Sequence, residues 1–313
     1  MSKYQIESVG ILIADSNRQL RTSLKGVLHQ QGFRKISDAS DSEGFEKEIR
    51  STNPDLILCD VGLSGGKVCE TIHRLRHNKI GFNPFASVIL FIDEPNEDVV
   101  RAAAEAGVDD VQMKPVVGQK IIDRVRFLIE KRKPFVVTTD YVGPDRRKKA
   151  RPGPGAQEIP LVDVPNTIAL KAKGQYNDNL VQREINNAVW DVNAQKIERH
   201  VYQVGYLVER IVPVYEKGQP DKDGLSMVVR LMSVARDIVK RLKDSDYGHI
   251  AVLAETLVTV TKSVMENSSQ PKRKDLDLLP ELASALVASV GSGDNADTTA
   301  REIQSSIQER YGK

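Results

Sequence analysis

The sequence predicts a doubly wound, five-stranded parallel α/β sheet over residues 1–132 and a separate all-α region over residues 166–313. Three observations carry this. Between residues 6 and 132, short apolar runs alternate five times with helix-length amphipathic stretches, and such βα alternation closes into a parallel sheet. Residues 133–165 break the alternation and place seven prolines and glycines between Gly143 and Pro160, which is linker composition. Beyond them apolar residues recur at helical spacing with no strand alternation.

The elements follow in order. Residues 9–14 form the first strand, and residues 18–31 a helix with Leu20, Leu24, Val27 and Leu28 on one face, stopped at Gly32. A weak second strand spans 34–39. Asp41 can cap a helix at 42–51, where Phe45 and Ile49 lie one turn apart. Residues 55–59 are an apolar run of the kind buried in parallel sheets. Helices at 67–77, 96–106 and 117–132 alternate with strands at 87–92 and 108–113.

In the second half, Ile197, Val201, Val204, Leu207, Val208 and Ile211 form one stripe. Val228, Leu231, Met232, Ala235, Ile238 and Leu242 form another, and Ile250, Leu253, Leu257, Val260 and Val264 a third. Leu279, Leu282, Leu286 and Val290 give a shorter one. These stripes read as bundle core. Pro213 is expected to end or kink its helix, and residues 218–224 and 267–271 to separate helices. The final 20 residues read as a polar helix or a frayed tail.

Composition narrows the function. The chain has 313 residues, 40% of them apolar and 28% charged, with a formal charge of +2. That charge is too small to argue for a nucleic-acid partner, and aromatic residues at 5% offer few stacking platforms. Cys59 and Cys69 show no secreted disulfide pattern, which suits a reducing cytoplasm. No apolar stretch approaches 18 residues and no leader is evident, so neither a membrane span nor export is expected.

The chemistry gathers at strand ends. Asp15 follows the first strand, Asp60 the third and Lys114 the fifth. Open α/β sheets build their sites at the carboxyl ends of strands. Two carboxylates and a lysine suit one magnesium ion, one phosphoryl group and a cation to hold it. Asp15 and Asp60 can supply two oxygens to Mg2+ and the Gly62 carbonyl a third, with Ser16 a lesser candidate. A carboxylate can also attack a phosphoryl group to form an acyl phosphate.

Residues 6–132 resemble the receiver domain of two-component response regulators, a flavodoxin-like fold. The matching pieces are Ile13-Ala14-Asp15-Ser16-Asn17, Asp55-Leu56-Ile57-Leu58-Cys59-Asp60, Glu105-Ala106-Gly107-Val108-Asp109-Asp110 and Met113-Lys114-Pro115. Their order and spacing cover the whole five-unit domain. The resemblance implies that Asp60 is the phosphoacceptor, that Asp15 belongs to the magnesium site and that Lys114 contacts the phosphoryl group. It also implies a histidine kinase or phosphotransfer protein as donor. Residues 166–313 resemble no family by these criteria.

The chain departs from that family's pattern at four places. Ser16 stands where a second acid usually follows strand 1, and Ile92 where strand 4 usually ends in Thr or Ser. Val111 replaces the usual switch aromatic, and Ser64 the usual proline after the acceptor. A missing carboxylate weakens magnesium binding, since affinity follows ligand charge. Ile92 has no hydroxyl with which to read a phosphoryl oxygen.

Other features read as structural. His200 and His249 lack the neighbours of a phosphotransfer histidine, since Gln203-Val204 and Val252-Leu253 follow them. Asp109 and Asp110 belong to the turn before strand 5, and Asn83-Pro84-Phe85 is a loop with an apolar anchor. The basic run 146–151 reads as a linker charge block, although the arginines of Tyr141-Val142-Gly143-Pro144-Asp145-Arg146-Arg147 can grip a phosphate or carboxylate.

Three functions fit. The first is a cytoplasmic response regulator, not an independent enzyme, whose helical domain meets an unknown protein partner or forms a homodimer. The second is a degenerate receiver serving as a scaffold, and the third a DNA-binding transcriptional regulator.

Overall fold

The computed structural model describes residues 4–147, 161–218 and 222–291. It divides into two compact units, Met1–Val189 and Trp190–Lys313. Lys148–Ala150 and Arg151 of the basic run, residues 219–221 and the polar tail from residue 292 lie outside the described residues.

The first unit opens with five βα pairs. The strands are β1 (Gly10–Ala14), β2 (Lys35–Ala39), β3 (Leu56–Asp60), β4 (Ser87–Ile92) and β5 (Asp110–Met113). The helices are α1 (Arg18–Gln31), α2 (Ser42–Thr52), α3 (Val68–Arg76), α4 (Glu97–Ala106) and α5 (Gly118–Lys131). The sheet is wholly parallel, in the order β2-β1-β3-β4-β5. The strand order reverses at β1, so the crevice between the carboxyl ends of β1 and β3 is the topological switch point. Asp15 and Asp60 stand at those two ends.

Strand alternation sends Leu56 and Leu58 to one face and Ile57 and Cys59 to the other. α1 and α5 cover the first face through Leu24, Leu28, Ile121 and Val125, and α2, α3 and α4 cover the second through Phe45, Ile72 and Ala103. Asp41 caps its helix as the sequence implies, and two further helix starts have side-chain caps. Asn17 accepts from the Gln19 and Leu20 amides, Asp41 from Gly44 and Asn96 from Asp98. Gly32 and Gly107 close α1 and α4 with φ of 108° and 82°, in the left-handed region that favours glycine.

Residues 133–165 differ from the expected plain linker. Their described parts form β6 (Phe135–Val137), β7 (Val142–Pro144) and β8 (Leu161–Val162), a three-stranded antiparallel sheet in the order β7-β6-β8. The physical reason is burial. Phe135, Val137 and Val142 are enclosed, and a Cβ on Gly107 would meet the Val142 carbonyl at 2.5 Å. Gly143 closes the same contact, since a Cβ there would lie 2.8 Å from the Gly107 Cα. Of the glycines and prolines that suggest a linker, Gly143 instead allows two backbones to touch.

The motif-like arginines are absorbed by this contact. Arg146 donates to the Val108 carbonyl, and Arg147 pairs with Asp145 at 2.9 Å. Arg147 thus does meet a carboxylate, that of a residue two positions before it. Beneath them the Arg76 guanidinium is fully enclosed. It pairs with Asp109 at 2.9 Å and donates to the carbonyls of Gly107, Pro84 and Ala86. Arg132 meets the same carboxylate at 2.8 Å. Asp109, in the turn before β5, is thus the buried anchor of this base, whereas Asp110 is not in the turn but opens β5 and pairs with Arg124 at 2.7 Å. Phe85 packs edge-on against Phe135, with ring centroids 5.7 Å apart.

A short helix, α6 (Thr167–Ala172), adds Ile168, Ala169 and Ala172 to the α1/α5-side core. Lys171 Nζ lies 2.7 Å from Asp55 Oδ2 at the foot of β3. The all-α region beginning at residue 166 is therefore not one domain, because its first helix belongs to the receiver-like unit. A six-residue helix gives too weak a periodic signal to assign from sequence.

Helix α7 (Asp178–Glu216) continues the chain, and from Trp190 onward it belongs to the second unit. Pro213 lies within it. The helix runs on to Glu216, so Pro213 does not end it, and the proline costs the ladder the one bond its missing N–H would make. The second unit adds α8 (Lys222–Arg241), two 3-10 turns (Leu242–Asp244 and Gly248–Ile250), α9 (Ala251–Glu266) and α10 (Arg273–Gly291). α8 packs on α9, and α9 on α10. All four apolar stripes enter this core, with Val290 at its margin and Met232 buried nearby.

Candidate functional site

The site is assembled by backbone before any side chain matters. β1 ends at Ala14, so Asp15 is the first residue beyond the sheet. β3 ends on Asp60 itself, and Lys114 follows β5. The Lys114 amide donates to the Ile92 carbonyl at 2.8 Å, and the Lys114–Pro115 peptide is cis. The amide hydrogen bond to Ile92 holds the Lys114 backbone beside the end of β4, and its side chain reaches the acids.

The Lys114 ammonium lies 2.9 Å from Asp60 Oδ1 and 3.4 Å from Asp15 Oδ2. Both acids are buried, with 4% and 1% of their surface exposed. A third carboxylate, Asp93, stands 3.7 Å from the same ammonium with its side chain open to solvent. Burial lowers the Lys114 pKa. The Asp60 hydrogen bond and the charges of Asp60, Asp15 and Asp93 outweigh burial and leave it raised above 10.5.

The remaining contacts orient the acids. Asp15 Oδ1 accepts from the Asn17 amide at 2.7 Å, and Arg21 donates to the Asp15 carbonyl at 2.7 Å. Asp15 Oδ2 and Asp60 Oδ1 are buried and, apart from the Lys114 ammonium, have no hydrogen-bond partner. Buried carboxylate oxygens that share one ammonium and have no other donor are costly, and both face Lys114. Such oxygens are hard anionic ligands of the kind magnesium takes, so these two residues fit the ion. Among the described residues no group of three or more His, Cys, Asp or Glu is placed to hold a metal. Magnesium here would complete its shell with waters and backbone oxygen, as it usually does.

The other predicted residues fall as follows. Gly62 lies with its backbone against Asp60, since a Cβ there would sit 3.3 Å from Asp60 Oδ2. Ser16 is engaged otherwise: its hydroxyl accepts from the Ser64 amide at 2.9 Å. The Ser64 carbonyl accepts from the Ser42 amide at 2.9 Å. The loop after the acceptor is thus tied to the loops after β1 and β2. Gly65 and Gly66, at φ of 97° and 67°, complete its turn.

The departures from the family pattern are visible as surfaces. Ile92 is buried at the end of β4 and presents no hydroxyl, and Val111 is half-buried against the α4-side core. His200 and His249 lie in the second unit. His200 is buried and bonds Asp237 at 2.9 Å.

Sequence reasoning gave no role to Asp93, Asn17 or Arg21. Asp93 carried a readable signal, an acid one residue beyond a strand end, level with Asp15 and Lys114. Arg21 carried none, because its use depends on the turn from β1 into α1.

Comparison with known proteins agrees with this geometry. The model of the response regulator receiver domain family matches residues 11–126. The transcriptional regulatory protein AfsQ1 of Streptomyces coelicolor is 31% identical over 125 residues, covering 39% of this chain and 51% of that protein. The phosphate regulon transcriptional regulatory protein PhoB of Escherichia coli is 28% identical over 127 residues, covering 41% and 54%. The chain thus spans about half the length of these curated relatives. The chemotaxis response regulator CheY4 of Vibrio cholerae aligns in structure at 15% identity, with a TM-score of 0.34, covering 38% of this chain and 96% of that one. No helix among the described residues is long and apolar enough to cross a membrane. The parallel sheet, the acids at its switch point and the family match converge: residues 11–126 of this chain are a response regulator receiver domain.

Proposed function

We propose that this protein is a cytoplasmic response regulator phosphorylated on Asp60 by a histidine kinase or phosphotransfer protein. The observation that carries the reading is the placement of Lys114 between Asp60 and Asp15, whose facing oxygens have no other partner. In the reaction an Asp60 oxygen attacks phosphorus, and the bond from phosphorus to the donor breaks. Its electron pair leaves with the donor. Lys114 then exchanges a carboxylate partner for a phosphoryl oxygen. Asp15, Asp60 and the Gly62 carbonyl would hold Mg2+, which neutralises charge on both anionic reactants when bound. The role is regulatory rather than metabolic, and the output passes through protein contacts of the helical unit.

The experiment is intact mass after incubation with acetyl phosphate and magnesium, beside Asp60→Asn and a magnesium-free control. An adduct that needs both Asp60 and magnesium supports the reading. No adduct from acetyl phosphate or a cognate kinase would overturn it.

Ile92 and Val111 favour a second reading, a phosphorylation-independent scaffold, since neither offers the polar or aromatic group that couples a phosphoryl to a distant face. The names of AfsQ1 and PhoB favour transcriptional control. Steeply salt-dependent binding to duplex DNA would carry that third reading.

A further inference from the structure

Asp93 is the one acid at this site that the chemistry above does not use. It follows β4 directly, where the chain turns outward before α4. Its carboxylate stands 3.7 Å from the Lys114 ammonium, and 70% of its side chain is exposed, against 6% for Asp60 and 1% for Asp15. Asp15 and Asp60 are walled in, so Asp93 is the acid of the three that borders the approach from solvent. Ile92 before it gives the same strand end an apolar residue, so this rim offers negative charge and no hydroxyl donor.

A phosphoryl group on Asp60 needs Lys114 as its counter-ion. Before phosphorylation Asp93 shares that ammonium, and afterwards it faces an added anion across it. We propose that Asp93 competes with the phosphoryl group for Lys114 and so keeps the unphosphorylated state favoured, a role that rests on Asp60 being the acceptor. The competition acts at two stages. The Asp93 charge repels an incoming anionic donor, which slows formation of the acyl phosphate. It also repels the bound phosphoryl group, which favours attack of water on phosphorus. That attack breaks the bond between phosphorus and the Asp60 oxygen and returns its electron pair to the carboxylate. Both water protons leave with inorganic phosphate, as dihydrogen phosphate. The raised pKa of Lys114, to which the Asp93 charge contributes, agrees with an ammonium held by all three acids.

The test compares wild type, Asp93→Asn and Asp93→Ala as full chains in saturating magnesium and a fixed, sub-saturating concentration of acetyl phosphate. Intact mass reads the ratio of phosphorylated to unphosphorylated chain, and then its decay after the donor is removed. Both variants should raise the ratio by about fivefold and slow the decay, the size of one unit-charge interaction across about 4 Å in water. An unchanged ratio would remove the competition. A lower ratio or faster decay would overturn it and make Asp93 a group that supports the adduct. Absence of an adduct in all three chains would instead refute Asp60 as acceptor, and the role of Asp93 with it. The exposed position makes both substitutions compatible with folding, which a shared thermal midpoint confirms.

Discussion

Lys171 and Asp55 are 116 residues apart in sequence, yet the Lys171 ammonium lies 2.7 Å from Asp55 Oδ2. The same oxygen accepts from the Gly10 amide at 2.7 Å. One carboxylate therefore joins the start of β1, the start of β3 and the helix α6, which extends the receiver unit beyond the segment that the family model matches.

That extension should be measurable. Ile168 is fully buried in the core between the sheet and α1/α5. Ile168→Ala should destabilise the receiver unit by about 2–4 kcal/mol, the usual cost of such a truncation. Urea titration followed by a receiver-specific probe checks this. No change would mean that α6 is a passive passenger.

The base of the unit depends on a buried guanidinium. Arg76→Met removes a cation that serves Asp109 and three carbonyls. Breaking one side of a buried pair costs about 3–5 kcal/mol. Arg132 remains beside Asp109 and places the expected loss toward the lower end. The midpoint of chemical denaturation is the readout.

Ser16 should act through the loop rather than through a metal. Ser16→Ala deletes the acceptor for the Ser64 amide, at a cost of roughly 0.5–1.5 kcal/mol. Magnesium affinity, measured by calorimetry, should stay within about twofold, because the carboxylates are unchanged. A tenfold loss of affinity would instead make the Ser16 hydroxyl a ligand.

The helical unit carries its own acid sensitivity. Burial raises the pKa of Asp237, but the His200 hydrogen bond and the Arg241 charge outweigh it and hold the carboxyl well below its ordinary 3.8. Arg241 also donates to Asn193 at 2.7 Å, which ties α8 to α7. A carboxyl depressed in the folded state contributes stability that is complete above its unfolded pKa. That stability is lost as pH falls from about 3.8 through the folded value. Asp237→Asn should lower stability at pH 7 and flatten its decline between pH 4 and 2. Thermal melts across that range test it.

Lys114 has the opposite sign. Its pKa is raised in the fold, so its contribution is complete below the ordinary lysine value of 10.5 and lost as pH climbs through the raised one. Lys114→Met should leave Asp15 and Asp60 as two buried, uncompensated acids. Adduct yield from acetyl phosphate, read by intact mass, should drop, because the phosphoryl group loses its counter-ion.

The five βα units, the cap at Asp41, and the positions of Asp15, Asp60 and Lys114 were all readable from local signals. Each depends on periodicity, on a capping residue or on the end of an apolar run. The four stripes of the helical unit were readable for the same reason. The pairing of Ser16 with Ser64 was not, because a serine beside an acid looks the same whether it binds a metal or an amide. The β6-β7-β8 sheet was hidden as well. Its strands are two or three residues long, and glycine and proline signal a loop whether or not the loop is packed.

The sequence by itself determined the order of strands and helices and the kinds of group at the strand ends, because those follow from spacing along the chain. Tertiary structure alone decided which side chains meet. It brought Asp93 to Lys114, Lys171 to Asp55 and Gly143 to Gly107. Such contacts depend on strand order and on close packing between segments remote in sequence, and neither is encoded in any single stretch.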